Sequence, residues 1–402
     1  MGRHALELAD IFRLHGPAYR EAYRGMINSM QRRVMRAIEA CRTAVLGGHV
    51  EKCDRCGHRR IHYNSCGNRH CNKCQSLARA RWLEKHRALL LPVPYFHVVF
   101  TVPAAISSLA LQNQRLVYSI LFRAAAQTLR RIAGDSKHLG ARIGFLAVLH
   151  TWGQNLQHHP HLHCVVPSGG LSIDGRRWVR GRAHFFLPVR VLSRLFRGVF
   201  LHGLQEARAA GKLRFDGSLQ KLSDAGAFAH WIKTCRSSEW VVYAKPPFGG
   251  PEQVLDYLGR YTHRVAISNN RLISLQDDKV TFRWKDYRAG NRQKRMTLDA
   301  EEFIRRFLLH ALPRGFVRIR HYGWLANAQC RQKLALCRKL LGFERPEEEQ
   351  KGSTQNLRDT GKELTAASFM ICPACGQGRM VVIEIIDPTG SLREPMPTID
   401  SS

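Results

Sequence analysis

The chain has 402 residues, of which 44% are hydrophobic and 23% are charged. This composition is long and apolar enough for a sizeable core and for two or three domains, and it excludes an intrinsically disordered chain. Its 63 lysines and arginines outnumber its 31 aspartates and glutamates, giving a formal net charge of +32. Such an excess favours a polyanionic partner, nucleic acid in preference to a membrane surface.

Residues 1–92 combine helical patterns with a cluster of cysteines. No secretory signal opens the chain, so its 12 cysteines are expected to be metal ligands in a soluble, intracellular protein. Two pairs with two intervening residues can supply a closed tetrahedral zinc site, whose predicted ligands are Cys53, Cys56, Cys71 and Cys74. Cys66 and His70 remain as substitutes or as ligands of a second ion. Arginines and lysines between these residues favour a DNA-contacting face: Arg55, Arg59, Arg60, Arg69 and Lys73.

Residues 88–106 carry no Asp, Glu, Lys or Arg and are long enough to suggest a membrane span. Pro92, Pro94 and Pro103 are unsuited to a continuous helix. The segment is therefore predicted to be a helix end, a proline turn and a buried strand over residues 96–102, and no membrane association is expected.

From residue 96 onward, apolar strands alternate with helices. Strands are predicted at 96–102, 143–151, 161–167 and 240–244, and helices at 104–132 and 189–210. The short connection between the second and third strands favours an antiparallel pair. The resulting β-α-β-β-α-β order predicts an α+β protein with a ferredoxin-like antiparallel sheet flanked by helices.

Two histidines and a leucine form the most informative segment of the chain. Successive side chains of a strand alternate between faces, so His161 and His163 are predicted to point the same way and Leu162 into the core. Two adjacent imidazoles can bind a divalent metal, and a third ligand would leave an open edge for phosphate. Gln154 is the preferred third ligand and His150 its rival. The metal is predicted to be Mg²⁺ or Mn²⁺, with the nitrogen ligands favouring manganese.

Tyr257 and Tyr261 are four residues apart in a predicted helix, so their phenols share one face. Such a pair usually packs in a core. Arg260 and Arg264 give this segment affinity for phosphate, and a tyrosine beside a metal-polarised phosphate can act as a covalent nucleophile. We therefore predict that the two tyrosines are catalytic and that the two arginines bind DNA.

Beyond residue 340, a polar stretch from 346 to 368 is predicted to be a linker to a small tail with Cys372 and Cys375. Cys330 and Cys337 cannot both complete a zinc site with them, because seven residues of helix separate the two by about 10 Å. The tail cysteines stay unassigned.

Together these motifs resemble those of the two-tyrosine HUH rolling-circle insertion-sequence transposases, the IS91 family. The resemblance rests on three segments: Asn64 to Cys74, His150 to Gly170 with His159-Pro160-His161-Leu162-His163 at its centre, and Tyr257 to Asn269. It covers roughly residues 10–325. The tail lies outside it.

The resemblance implies an HUH endonuclease core that forms 5′-phosphotyrosine intermediates with single-stranded DNA, preceded by a zinc-binding domain. The expected domains are residues 1–92 for zinc binding and DNA contact, 93–325 for catalysis, and 326–402 for a helical segment, linker and tail. The expected function is transposition in the bacterial cytoplasm, in association with the nucleoid. Two alternatives remain: a rolling-circle plasmid or phage replication initiator, and a non-catalytic zinc-dependent DNA-binding regulator.

Overall fold

The structure is a computed structural model of the chain. It describes residues 6–182, 187–238, 240–248, 253–254, 257, 259, 262–263, 265–286, 289–326, 329–343 and 371–389.

Helices flank the sheets throughout the described part of the chain. The α-helices are Leu8–Ala22, Ser29–Ala40, Asn72–Arg87, Ser107–Gln112, Gln114–Gly134, Val189–Ala209, Ala225–Ser237, Ala300–Leu308 and Cys330–Leu340. Short 3₁₀ segments are Ala44–Leu46, Ala104–Ile106, Gly217–Ser223, Asn269–Arg271 and Gly323–Leu325. Residues 253, 254, 257, 259 and 262 are also helical, and we call this segment the Tyr257 helix.

The strands, in chain order, are β1 Gly48–Cys53, β2 Arg59–Tyr63, β3 Tyr95–Thr101, β4 Ala141–Arg142, β5 Phe145–Trp152, β6 His158–Pro167, β7 Gly169–Ser172, β8 Trp178–Arg180, β9 Val242–Phe248, β10 Leu272–Gln276, β11 Lys279–Asp286, β12 Arg292–Asp299, β13 Ile319–Tyr322 and β14 Met380–Ile386. Every recorded strand pair is antiparallel, which confirms the α+β class.

A five-stranded sheet in the order β13-β5-β6-β3-β9 is the centre of the molecule. Along β3 and β6, the residues of one face enter the largest core, which includes Val98, Phe100 and Leu162. The long helices Gln114–Gly134 and Val189–Ala209 contribute to this same core. The alternate residues of these strands point to the opposite face, which carries the histidines.

The predicted start of the histidine strand at His161 is wrong, because β6 begins at His158. Proline lacks an N–H and is excluded from positions where a central strand needs that donor. On one side β3 ends with Thr101 opposite His161, so Pro160 lies beyond the end of the β3 ladder. On the other side the β5–β6 register shifts between His150 and Trp152. Pro160 is therefore tolerated inside the strand.

The N-terminal helices do not form a core separate from the rest of the chain. Phe12 of the first helix packs edge-to-face on Phe307 with ring centroids 5.3 Å apart. Both belong to a core that also contains Phe282 of β11 and Phe303. The domain boundary predicted at residue 92 therefore does not separate two independent cores.

The tail also joins the N-terminal region. β14 pairs with β1, which pairs with β2, so that the three make one antiparallel sheet. Residues 371–389 thus belong structurally with residues 48–63.

The uncharged segment 88–106 contains β3, a central strand, as predicted. Among the described residues, no helix has the length and apolar character needed to cross a membrane.

Candidate active site and metal centres

Three histidines meet on the face of the central sheet opposite the largest core. His161 and His163 lie two apart on β6 and point the same way, while the intervening Leu162 is fully buried. His150 on β5 lies directly opposite His161 in the antiparallel ladder. The three residues can each offer a ring nitrogen so that these atoms lie within 4.8 Å of one another. This spacing suits three ligands of one metal ion.

His150 was the alternative to Gln154 as the third metal ligand in the sequence analysis. Gln154, the preferred one, follows the end of β5 at Trp152, and its backbone carbonyl oxygen accepts a hydrogen bond from the guanidinium of Arg271. His150 is buried in the strand itself, and its ring centroid lies 4.5 Å from that of His163. The geometry therefore favours His150 over Gln154, because cross-strand pairing aligns His150 with the histidine pair.

The hydrogen bonds of the histidines orient their rings for a metal. Nδ1–H of His161 donates to the carbonyl oxygen of His159 at 2.7 Å. A carbonyl can only accept, so the lone pair of His161 is on Nε2. Nδ1 of His163 is likewise engaged, at 2.8 Å from Nε2 of His97. A hydrogen bond on one ring nitrogen that directs the other nitrogen to the ion is typical of metal-binding histidines.

His97 of β3 links this cluster to Tyr257, and the sequence analysis did not select it. Its Nδ1 lies 2.5 Å from the Tyr257 hydroxyl, and its Nε2 contacts His163. Burial lowers the pKa of His97 to about 3, with Lys245 and His161 adding to the effect. The ring is therefore neutral near neutral pH, with one donor and one acceptor nitrogen. The available signal was a histidine within the otherwise apolar run from Phe96 to Phe100.

Tyr257 is 9% exposed and lies on the helix that covers this side of the sheet. Val254, one turn earlier, is fully buried in a cluster with Val148 and Val165 of the sheet. On the far side, a Cβ added to Gly259 would lie 2.6 Å from Nε of Arg79 and 2.9 Å from Leu83. The Tyr257 helix is thus held between the sheet and the helix Asn72–Arg87. Tyr261, Arg260 and Arg264 lie outside the described residues.

The predicted zinc site with Cys53, Cys56, Cys71 and Cys74 is not formed. Its two pairs separate into two different clusters of four cysteines. Cys71 and Cys74, at the start of the helix Asn72–Arg87, meet Cys41 and Cys66, with sulfur–sulfur distances of 3.5–3.6 Å. Zn–S bonds near 2.3 Å give tetrahedral sulfur separations of about 3.8 Å, so the first cluster fits zinc. Cys41 was missed because it has no neighbouring cysteine at a diagnostic spacing.

Cys53 and Cys56 form the other cluster with Cys372 and Cys375 of the tail. Spacing along the chain could not join them, because more than 300 residues separate the two pairs. Cys330 and Cys337 belong to neither cluster.

His70 is not placed among the zinc-fitting cysteines. Its Nε2 accepts a hydrogen bond from the backbone N–H of Leu312 at 3.3 Å, and burial lowers its pKa to about 3. The neighbouring Arg69 donates to the carbonyl oxygens of Leu312, Pro313 and Phe316 at 2.6–3.1 Å. His70 and Arg69 therefore connect the loop between Cys66 and Cys71 to the segment before β13 by hydrogen bonds. Arg69 is thus not part of the expected DNA-contacting face.

Comparisons with known proteins match both parts of the chain. A family model described as "Transposase zinc-binding domain" matches residues 11–102, and one described as "Putative transposase" matches residues 144–333. The chain is 62% identical over 387 residues to "Putative transposase y4qJ" of Sinorhizobium fredii (strain NBRC 101917 / NGR234), covering 96% of this chain and 97% of that protein. It is 29% identical over 298 residues to the transposase for insertion sequence element IS801 of Pseudomonas savastanoi pv. phaseolicola, covering 73% of this chain and 70% of the relative.

Among solved structures, the conjugative relaxase TrwC in complex with oriT DNA is 14% identical, covers 40% of this chain and 68% of its own, and has a TM-score of 0.21. A score of this size carries no argument about the site. The two family models and the relative that covers 96% of this chain show the family: this protein belongs to the family of transposases with an N-terminal transposase zinc-binding domain.

Proposed function

We propose that the protein transposes a rolling-circle insertion sequence by cleaving and rejoining single strands of DNA through 5′-phosphotyrosine intermediates. Membership of the transposase family supports the reaction class. The observation that carries the chemistry is the hydrogen-bonded chain from Tyr257 through His97 to His163, because it joins a nucleophile to a metal-binding cluster.

The histidine cluster fits a divalent metal ion by its donor set. His161 presents a lone pair on Nε2, and His163 and His150 complete a set of three imidazoles. When bound, the ion polarises the scissile phosphate and neutralises charge on its non-bridging oxygens. Three nitrogen ligands favour manganese over magnesium, which prefers oxygen.

His97 holds the phenolic oxygen of Tyr257. With Nε2 of His163 facing the metal position, Nδ1 of His163 carries its proton and donates to Nε2 of His97. Nδ1–H of His97 then donates to the Tyr257 oxygen. This contact stabilises the phenolate, which is the form that attacks phosphorus and the form that leaves when strands are rejoined.

In the cleavage step the Tyr257 oxygen forms a bond to phosphorus, and the bond from phosphorus to the 3′ oxygen breaks. The phenolic proton passes to solvent, and the departing 3′ oxygen takes up a proton to give a free 3′-OH. The 5′ end stays on the enzyme, so the bond energy is kept for the reverse transfer. Tyr261 supplies a second phenol four residues further along the sequence. Two nucleophiles permit strand exchange without hydrolysis.

Cys41, Cys66, Cys71 and Cys74 would hold a zinc ion that supports this site through one helix. Two of the four cysteines lie at the start of Asn72–Arg87, and that helix contacts Gly259 through Arg79 and Leu83. A closed four-thiolate site has no open position for chemistry. Its role is to fix the helix that supports the Tyr257 helix.

The net charge of +32 provides the general affinity for DNA. Arg260 and Arg264 are proposed to bind the phosphates that flank the scissile bond. Four strands of the central sheet lie in the order β5-β6-β3-β9, and helices follow β3 and β6 along the chain. This arrangement supports a ferredoxin-like HUH core. We assign its action to the bacterial cytoplasm, where DNA of the nucleoid is available.

The test is the formation of a covalent protein–DNA adduct. The full chain is incubated with labelled single-stranded element ends and Mn²⁺ or Mg²⁺, and adducts that survive denaturation are measured. Tyr257→Phe combined with Tyr261→Phe should abolish the adduct, because phenylalanine keeps the ring but lacks the nucleophile. His161→Ala with His163→Ala should abolish it while DNA binding remains.

Tyr243→Phe is the matched control. Tyr243 is on β9 opposite Val99 and is 50% exposed, so its loss should leave adduct formation unchanged. Mass spectrometry should locate the nucleotide on Tyr257 or Tyr261. A nucleotide on Tyr243, or a fully active double tyrosine variant, contradicts the proposal. Replication-origin DNA as the only cleaved substrate would instead identify a replication initiator.

A further inference from the structure

The second cysteine cluster joins the tail to the N-terminal region. Sγ of Cys53 lies 3.8 Å from Sγ of Cys375, and Sγ of Cys56 lies 3.6 Å from Sγ of Cys372. A disulfide needs sulfurs about 2.05 Å apart, whereas four thiolates around zinc are separated by about 3.8 Å. The observed distances match the tetrahedral arrangement.

The two cysteine pairs have the same local structure although they come from opposite parts of the chain. In the first turn, the N–H groups of Arg55 and Cys56 donate to Sγ of Cys53, both at 3.4 Å. In the tail turn each sulfur accepts one such bond: N–H of Ala374 donates to Sγ of Cys372 at 3.4 Å, and N–H of Gly378 donates to Sγ of Cys375 at 3.3 Å. Backbone donors aimed at sulfur stabilise the thiolate, which is the form that binds metal.

Each pair is followed directly by a glycine in the left-handed region. Gly57 has φ +72° and Gly376 has φ +65°, a conformation that side chains rarely adopt. The N–H of each glycine donates to the carbonyl oxygen of the first cysteine of its pair, at 3.2 Å for Gly57 and 2.9 Å for Gly376. Both turns therefore close in a way that brings two sulfurs to one side.

The two turns also fit closely against each other. A Cβ added to Gly378 would lie 2.4 Å from Sγ of Cys53, so only glycine allows this approach. Asp54 and Arg379 exchange hydrogen bonds: N–H of Asp54 donates to the Arg379 carbonyl at 3.0 Å, and N–H of Arg379 donates to Oδ1 of Asp54 at 2.8 Å.

Hydrophobic burial contributes little to holding this unit together. The small core that it contains consists of Cys53, Cys372 and Met380, with Cys375 packed beside them. Val381, Val382 and Ile383 of β14 are 47–49% exposed, and Ile385 is 70% exposed. A three-stranded sheet with so small a core needs another source of stability, and a structural metal is a common one.

We propose that Cys53, Cys56, Cys372 and Cys375 bind a second structural zinc ion, which fastens residues 371–389 to the β1–β2 hairpin. Binding converts the four thiols to thiolates and releases their protons to solvent. The site is closed by four protein ligands and has no open position for a substrate. The protein would thus hold two structural zinc ions, one at the start of the helix Asn72–Arg87 and one that ties the tail to the N-terminal region.

The first test counts thiolate-bound metal in the full chain. Zinc is exchanged for cobalt, and the thiolate-to-cobalt absorption per chain is compared with that of Cys372→Ser/Cys375→Ser. We expect the variant to lose half of this absorption and one equivalent of zinc. Cys330→Ser is the matched control and should lose neither, because Cys330 belongs to neither cluster. An unchanged signal in the tail variant overturns the proposal, and so does a disulfide found by mass mapping at these positions.

The second test separates loss of a ligand from loss of the fold. Cys53→Ser/Cys56→Ser should release the same zinc equivalent, and the quadruple variant should release no more than either pair. Cys375→His keeps a zinc ligand and should restore the equivalent. Amide hydrogen exchange of residues 380–386 should be slow in the wild type and in Cys375→His, and fast in the serine variants. Retention of the metal by either serine pair, or failure of histidine to restore it, contradicts the site.

Discussion

Replacement of His97 tests the link between the nucleophile and the metal cluster most directly. In a Tyr261→Phe background Tyr257 is the remaining nucleophile of the pair, so the effect on one phenol can be measured. His97→Ala removes the contacts of 2.5 Å to the Tyr257 hydroxyl and 2.8 Å to Nδ1 of His163. A hydrogen bond to a charged group contributes about 1.5–3 kcal/mol, which corresponds to about a 10- to 150-fold slower cleavage rate.

The assay is single-turnover adduct formation with labelled single-stranded DNA, followed as a function of metal concentration and pH. His97 also orients His163, so the variant should need more metal for half-maximal rate, by about 10- to 100-fold. At saturating metal the rate should remain low and should recover as pH rises, because hydroxide then generates the phenolate that His97 otherwise stabilises. His97→Gln, whose side-chain amide can still donate a hydrogen bond, should lose less of the cleavage rate than His97→Ala.

A purely structural role for His97 predicts a different pattern. The variant would then lose folded protein in proportion to activity, with no change in pH profile. The proposed hydrogen-bond chain is refuted if the variant cleaves within about twofold of the parent rate at saturating metal. It is also refuted if the cleavage rate falls by the same factor at every pH.

The remaining predictions concern the metal ligands and a buried histidine. His150→Ala should abolish metal-dependent cleavage, whereas Gln154→Ala should have a small effect; the reverse result would restore Gln154 as the third ligand. Cys41→Ser should remove one zinc equivalent, measured by elemental analysis, and a chain with unchanged zinc would contradict the first cluster. Burial lowers the pKa of His310 to about 4, so the neutral form stabilises the fold above pH 6.5, and this stability is lost as pH falls toward 4. Denaturant titrations at several pH values give the slope of the free energy of unfolding against pH. This slope should be about 1.4 kcal/mol per pH unit smaller in His310→Gln than in the wild type, and an unchanged slope would contradict the lowered pKa of His310.

Local patterns were sufficient for the class of fold and for much of the histidine site. Alternation along a strand put His161 and His163 on one face and Leu162 in the core, and β6 has that arrangement. The transposase family was also predicted from the motifs, and the family models and relatives confirm it. The side-chain directions follow from spacing within a few residues, which the backbone of a strand or helix converts directly into direction. The family followed from the resemblance of the motifs to those of known transposases.

The errors have a common physical cause, which is pairing between distant segments. The sequence suggested that the two nearest cysteine pairs share one zinc. In the structure the β1–β2 hairpin turns Cys53 and Cys56 toward the tail, and the helix Asn72–Arg87 carries Cys71 and Cys74 toward Cys41. A tetrahedral site is selected by three-dimensional approach of sulfurs, so nearness along the chain does not decide which pairs combine.

The sequence by itself determined the charge, the side-chain alternation and the chemistry available at each motif. Only the tertiary structure decided which motifs act together. His97 became part of the site because β3 lies beside β6, and His150 because it is opposite His161 in the ladder. Register between strands and the packing of a helix on a sheet depend on the whole hydrophobic core, which no single segment encodes.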